Sequence, residues 1–138
     1  MALVGRQEFA VSRIKIARLR CVSDVRGVLF EPLDDQGLQQ QQNVHVVISE
    51  PGVIRGNHRH RLGSEVAAVQ GPCLARFEEN GVRTDHHIPA GEVWRFDIPP
   101  GVAHAYQNTG NTPTVLVGFN TEIHRPDQPD TERVLLLD

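Results

Sequence analysis

Three histidines stand at spacings that could build one metal-binding or acid–base site. His58 and His60 are separated by one residue, so on a strand both imidazoles would point to the same face. His104 follows the turn segment Pro99-Pro-Gly101. Imidazole is a common protein ligand for Zn, Fe, Ni and Mn, and three imidazoles with a carboxylate are a common metal environment. The spacing predicts a shared site for one divalent metal per chain (Zn, Ni, Mn or Fe).

Short strands separated by turns must position these histidines. The chain has 12 glycines and 9 prolines, which interrupt nearly every stretch before a helix of ten residues could form. The pair Asn80-Gly81 predicts a hairpin, because both residues tolerate positive φ. Many short strands at this spacing predict one all-β domain, a sandwich or a barrel. The strand candidates are residues 11–19, 25–31, 43–49, 65–70, 73–78, 92–98, 114–121 and 133–137.

Composition narrows the classes of function. A chain of 138 residues fits one domain that buries its own core. With 14 basic and 17 acidic residues it has no general positive field, so we expect no nucleic-acid and no membrane partner. Cys21 and Cys73 are too few for a disulfide scaffold. The apolar start before Gly5 is too short for a signal peptide. We therefore expect a soluble, cytoplasmic protein.

The two histidine blocks resemble the two signature motifs of the cupin superfamily. The segment from Gly52 to Glu65 is similar to G-x5-H-x-H-x4-E, and Pro99 to Asn108 matches P-x-G-x2-H-x3-N. The resemblance implies a double-stranded β-helix, the jelly-roll cupin barrel, over residues 11–138, with residues 1–10 as an N-terminal arm. It also implies a homodimer, because barrels of this superfamily commonly pair through sheet edges, and Glu65 as a fourth metal ligand.

The direction of Glu65 depends on the register of its strand. Five residues separate Glu65 from Gly71, whereas the cupin motif has six. Counted forward from His60, Glu65 faces the site. Counted backward from Gly71, Ser64 takes that position and Glu65 turns outward, because a slip of one residue moves every side chain to the other face. Both registers stay open at this point.

Further segments resemble the sugar-nucleotide cupins. These segments are Asp24-Val-Arg-Gly27, Arg55-Gly-Asn-His58, Thr121-Glu122 and the tail that runs from Glu122 to Thr131. They are similar to the 3,5-epimerases of dTDP-4-keto-6-deoxyhexoses and the related 3,4-ketoisomerases. They are also similar to the C-terminal cupin domain of the bifunctional capsular-polysaccharide reductase/epimerase. The resemblance implies an isomerase that acts on a nucleotide sugar by removing a proton next to a ketone.

The resemblance also implies roles for individual residues. His58 would be the base, oriented by the Glu122 carboxylate, and Arg26 and Arg55 would bind the diphosphate through bidentate contacts. Tyr106, the only tyrosine, is a candidate substrate contact near His104. The position of the acid tyrosine in the double epimerases corresponds to Pro113 here, which favours epimerisation at a single carbon.

Two questions remain open from the sequence. His58 cannot use one lone pair both to hold a metal and to remove a proton; if it holds a metal, Glu122 becomes the candidate base. Other classes also fit: a metal-dependent cupin oxygenase, or a non-catalytic metal- or sugar-binding cupin. His45 lies in an alternating strand and could line the barrel.

Overall fold

The computed structural model describes residues 12–138, so the predicted N-terminal arm, residues 1–10, lies outside the described residues. Within that range, no helix is long and apolar enough to cross a membrane. The chain forms strands β1 Lys15–Arg18, β2 Val22–Asp24, β3 Gly27–Leu29, β4 Asn43–Ser49, β5 Ile54–His60, β6 Glu65–Gln70, β7 Cys73–Glu79, β8 Val82–Ile88, β9 Val93–Ile98, β10 Ala103–Asn108, β11 Thr114–Asn120 and β12 Thr131–Arg133, with one short helix, α1, at Asp35–Gln39.

Two five-stranded antiparallel sheets carry the fold. The first has the strand order β1-β9-β6-β11-β4 and the second β12-β5-β10-β7-β8, while β2 and β3 form a separate hairpin. Phe77 of the second sheet and Phe96 of the first are both fully buried, and their ring centroids lie 5.1 Å apart. The inner faces of the two sheets therefore share one core, and the predicted all-β jelly-roll is confirmed.

Most predicted strands are confirmed. Of the predicted strand at residues 11–19, only Lys15–Arg18 is a strand, with residue 11 outside the described range. Two further strands differ for identifiable reasons. Residues 43–49 and 65–70 coincide with β4 and β6, and Asn80 and Gly81 have the positive φ of a hairpin turn between β7 and β8. Residues 25–31 split into a turn and β3. Residues 133–137 are a strand only at Arg133, because the Asn57 side chain replaces the ladder by accepting hydrogen bonds from the N–H groups of Leu136 and Leu137.

A bulge in β5 sets the direction of His58. The pairing with β10 shifts between His104, opposite His58, and Ala105, opposite Gly56. Gly56 has φ +88° and Asn57 has φ 57°, the left-handed region that favours glycine. A Cβ at Gly56 would also lie 2.7 Å from the carbonyl oxygen of His104. The bulge thus needs a residue without a side chain.

We expect Gly56→Ala to lower the free energy of unfolding by about 3–4 kcal/mol, because it combines backbone strain with a backbone clash. Gly81→Ala is the matched control: Gly81 also has positive φ, but a Cβ there meets nothing within 4 Å. The control should cost only about 1–2 kcal/mol. Denaturant titrations of both variants measure the difference, and equal losses would contradict the role given to the clash.

Candidate active site and metal centre

Two neighbouring strands bring the three predicted histidines together. His58 and His60 come from β5 and His104 from β10, and one nitrogen from each lies within 4.8 Å of the others. The ring centroids are 4.8 to 5.5 Å apart. The backbone pairing of His58 with His104 produces this proximity, since paired residues of adjacent strands share a face. Three imidazole nitrogens at these separations could hold one metal ion.

The hydrogen bonding of His104 shows that the site suits a positive charge. Its Nδ1 lies 3.1 Å from the carbonyl oxygen of Val102, which can only accept, so Nδ1 carries the proton. In a neutral His104 the Nε2 lone pair then faces the Glu65 carboxylate oxygen Oε2 at 3.0 Å. Two acceptors at this distance require a proton or a metal ion between them. The donor set therefore fits a divalent metal.

Glu65 is buried beside the histidine cluster. It is 4 % exposed and accepts a hydrogen bond from Asn120 at 3.3 Å. Of the two registers left open by the sequence, the forward count from His60 is therefore right. Burial alone would raise the pKa of Glu65, but the hydrogen bond and the positive charge that the nearby imidazoles, first of all His104, supply when protonated lower it below its usual value. Glu65 is thus a carboxylate that stays ionised.

The pKa values of the two histidines on β5 are lowered. Burial is the largest cause for His58, with the nearby His104 and His60 adding to it, and its pKa falls to about 4. Burial also lowers the pKa of His60. At neutral pH both imidazoles are therefore uncharged and offer lone pairs, the form in which histidine binds a metal.

The lowered pKa of His58 predicts that the metal-free protein loses stability as the pH falls from about 6.5 to about 4. In this window the unfolded chain binds a proton that the folded chain does not, so acid favours unfolding. With a discount for the partial exposure of His58, we expect a loss on the order of 2 kcal/mol. Denaturant titrations across this range, with His58→Gln as control, test it. An equal pH dependence in the control would contradict the assignment.

Asp130 is a site carboxylate that the predicted set lacks. Its Oδ2 lies 3.7 Å from Nδ1 of His60, and its two oxygens accept hydrogen bonds from the N–H groups of Leu62 and Gly63, both at 2.9 Å. A carboxylate behind a ligand histidine fixes the ring and its tautomer. The available signal was the tail motif, in which Asp130 stands next to Thr131.

The sequence analysis expected the Glu122 carboxylate to orient His58, but the two side chains do not pair. Its side chain is exposed, and within residues 12–138 no ion pair or hydrogen bond engages its carboxylate. Glu122 lies in the loop after β11, whereas the residue of β12 that pairs with His58 is Arg133. Glu122 instead lines a cavity of about 100 Å³ at the mouth of the site, together with Asn43, His60, Asn120, Ile123, His124, Pro129, Asp130 and Thr131.

The predicted substrate-binding residues lie in three different environments. Arg26 is exposed in the turn between β2 and β3, where it pairs with Asp24. Arg55 lies beside Ser49, with Nε 3.4 Å from Oγ. Tyr106 is 5 % exposed in the core, burial raises its pKa well above the usual value, and its hydroxyl has no hydrogen-bond partner in the described part of the chain. Their roles stay predictions.

The two sheets and the histidine cluster between them define a cupin jelly roll. Residues 22–132 match the family described as the polysaccharide biosynthesis C-terminal domain, and the chain belongs to that family. It is 30% identical over 134 residues to the spore coat polysaccharide biosynthesis protein SpsL of Bacillus subtilis, covering 90% of this chain and 89% of SpsL.

Two solved structures show the same fold. The capsular polysaccharide assembling protein CapF of Staphylococcus aureus is 29% identical, with a TM-score of 0.63 over 86% of this chain and 33% of CapF, so the chain spans about a third of that protein. The dTDP-4-dehydrorhamnose 3,5-epimerase of Sulfolobus tokodaii is 19% identical, with a TM-score of 0.67 over 87% of this chain and 76% of the epimerase. The predicted resemblance to sugar-nucleotide cupins is confirmed.

Proposed function

We propose that the chain is an isomerase, an epimerase or ketoisomerase, that acts on a 4-keto-6-deoxyhexose nucleotide. The observation that carries the proposal is the cluster of His58, His60 and His104, which opens at a mouth lined by an unengaged carboxylate, Glu122. Membership of the polysaccharide biosynthesis family and the fold shared with a dTDP-sugar epimerase support it.

The three histidines are proposed to hold one divalent metal (Zn, Ni, Mn or Fe), with Glu65 beside them. When bound, the metal supplies a Lewis acid that polarises the keto oxygen. Because the lone pair of His58 is then used, the base is Glu122, the carboxylate at the mouth. It takes the proton from the carbon next to the ketone and leaves an enolate. A proton returned to the other face of that carbon gives an epimer. A proton returned instead to the former carbonyl carbon moves the ketone, provided that the hydroxyl on the deprotonated carbon gives up its proton and the former keto oxygen takes one up.

The diphosphate is proposed to bind to two arginines. Arg55 is exposed and reaches only Ser49 among the described side chains, so its guanidinium can make bidentate contacts with phosphate oxygens. Arg26 is the second proposed contact, carried by the projecting hairpin. Tyr106 is proposed to support the sugar end from within the barrel, since its ring centroid lies 6.0 Å from that of His104.

A homodimer is proposed from the outer surface of β4. Among the described strands β4 pairs only with β11, so its other edge is unpaired. Its outward side chains Val44, Val46 and Ile48 are 58, 63 and 62 % exposed. The neighbouring strand adds Phe119, Val117 and Val115 opposite them. Two copies of such an apolar stripe can cover each other when the chains are related by a two-fold axis, so the proposed partner is a second copy of this chain.

Sedimentation equilibrium tests the proposed dimer. It should give a mass of about twice 15.4 kDa for the wild-type protein, and Val46→Lys should give the mass of the monomer.

The proposed location is the cytoplasm, where Cys21 and Cys73 stay as free thiols.

The test of the proposed function is conversion of a purified 4-keto-6-deoxyhexose nucleotide, followed by proton NMR. An epimer or a 3-keto isomer, formed with a rate proportional to protein concentration, is the expected result. Consumption of dioxygen would favour a cupin oxygenase, and binding without conversion would favour a non-catalytic cupin.

A further inference from the structure

A fourth imidazole reaches Glu65 from an unexpected direction. His45 lies on β4, Glu65 lies on β6, and β11 runs between these two strands. His45 pairs with Gly118 of β11, whereas Glu65 pairs with Asn120, two residues further along. The imidazole crosses β11 above Gly118, and its Nε2 lies 3.6 Å from Oε1 of Glu65. His45 thus contacts the buried carboxylate although an entire strand separates them.

Gly118 provides the space for this contact. A Cβ at Gly118 would lie 2.4 Å from both Cε1 and Nε2 of the His45 ring and 3.2 Å from Oε1 of Glu65. Gly118 does not have a positive φ, so its backbone would accept alanine. A glycine inside a strand costs about 0.5–1 kcal/mol relative to alanine. Close approach of another group is the physical reason for a glycine at such a position.

The two oxygens of Glu65 have different neighbours. Oε1 faces His45 and accepts a hydrogen bond from Asn120. Nε2 of His60 also lies 3.9 Å from Oε1, while Oε2 faces Nε2 of His104 at 3.0 Å. A carboxylate held at one oxygen cannot rotate freely about its terminal bond. The contacts at Oε1 therefore determine where Oε2 points.

We propose that His45 is a positioning residue that holds Oε1 of Glu65, so that Oε2 stays aimed at the three-histidine cluster. The effect of His45 on metal binding rests on the proposed function, whereas the contact between His45 and Glu65 does not. His45 touches the site through Glu65 and is not itself a proposed ligand. Its side chain is 41 % exposed, so it can be replaced without opening a core cavity.

Five variants test the proposal, among them His45→Ala as the reference for the double variant below. His45→Phe keeps a ring but removes the ring nitrogens, and His45→Gln restores a donor. Gly118→Ala should displace the imidazole without changing residue 45, and the double variant His45→Ala/Gly118→Ala removes the clash again. His87→Ala, at an exposed histidine on β8, controls for the loss of a histidine.

The first readout uses metal-free protein. Long-range proton–nitrogen NMR correlations report the tautomers and shifts of the His60 and His104 rings. We expect His45→Phe and Gly118→Ala to shift both rings, His45→Gln to restore most of the wild-type pattern, and His87→Ala to change nothing. Unchanged His104 resonances in His45→Phe would overturn the proposal.

The second readout is the dissociation constant for Zn²⁺, measured by competition with a chelator. We expect a loss of affinity of about 10- to 100-fold in His45→Phe and in Gly118→Ala. In the His45→Ala background, Gly118→Ala should add no further loss, and a full additional loss would overturn the proposal. If the wild-type protein binds no Zn²⁺, the proposed metal site fails, and the NMR comparison on metal-free protein still decides the role of His45.

Discussion

The His60→Ala variant is expected to lose its bound metal and its isomerase activity together. Removing one of three imidazole ligands should weaken metal affinity by at least about 100-fold, because the remaining His58 and His104 leave two nitrogens for the ion. Elemental analysis of the purified proteins should give about one divalent metal per wild-type chain and a small fraction of that in the variant. His87→Ala, at an exposed histidine outside the cluster, should keep both metal and activity.

The same variant separates the two roles that His58 could have. If His60→Ala loses the metal but still converts the nucleotide sugar, then no metal is required, and His58, with its lone pair free, becomes the candidate base that the resemblance to the epimerases implied. An absence of metal from the wild-type protein as well would contradict the metal site directly.

Replacing Glu122 with glutamine should remove activity without removing metal. Glutamine keeps the shape of the side chain at the mouth but cannot accept a proton, and a positioned base typically contributes about 10²- to 10⁴-fold to rate. We expect kcat to fall within this range while the metal content stays at the wild-type value. The matched control is Glu132→Gln, an exposed glutamate on β12 that pairs with Arg59.

Two outcomes would contradict the role of Glu122. Wild-type kcat in Glu122→Gln would show that its carboxylate takes no proton. Loss of metal in this variant would show that its effect is structural, since the carboxylate lies outside the histidine cluster.

The histidine cluster could be predicted because it depends on local spacing. The side-chain period of two places His58 and His60 on one face in any strand. The match of Pro99 to Asn108 with the second cupin motif adds His104, because the turn carries the chain from β9 in the first sheet to β10, the strand that pairs with β5 in the second. The alternation of more and less exposed residues along β4 could be predicted from the sequence in the same way. The bulge at Gly56 and Asn57 was not, because it appears only when β5 is paired with β10.

Contacts between distant strands could not be predicted in the same way. The expected carboxylate partner of His58 was Glu122, but no hydrogen bond or ion pair joins these two described residues, and the carboxylate of Asp130 lies beside His60 instead. The direction of the Glu65 side chain was ambiguous from the sequence. Counting forward from His60 puts Glu65 in the ligand position, whereas counting backward from Gly71 puts Ser64 there. The contact of His45 with Glu65 could be predicted only by knowing that Gly118 lies between them on β11.

The measurement that tests the central claim most directly is solvent deuterium incorporation. A 4-keto-6-deoxyhexose nucleotide is incubated with the wild-type protein in D₂O. The proton NMR signal of the hydrogen on the carbon next to the ketone is followed. Catalysis by proton removal predicts that this signal disappears at a rate proportional to enzyme concentration and far more slowly with Glu122→Gln. A signal that persists at the rate of the protein-free control, with the metal site filled, would contradict an isomerase acting on this class of substrate.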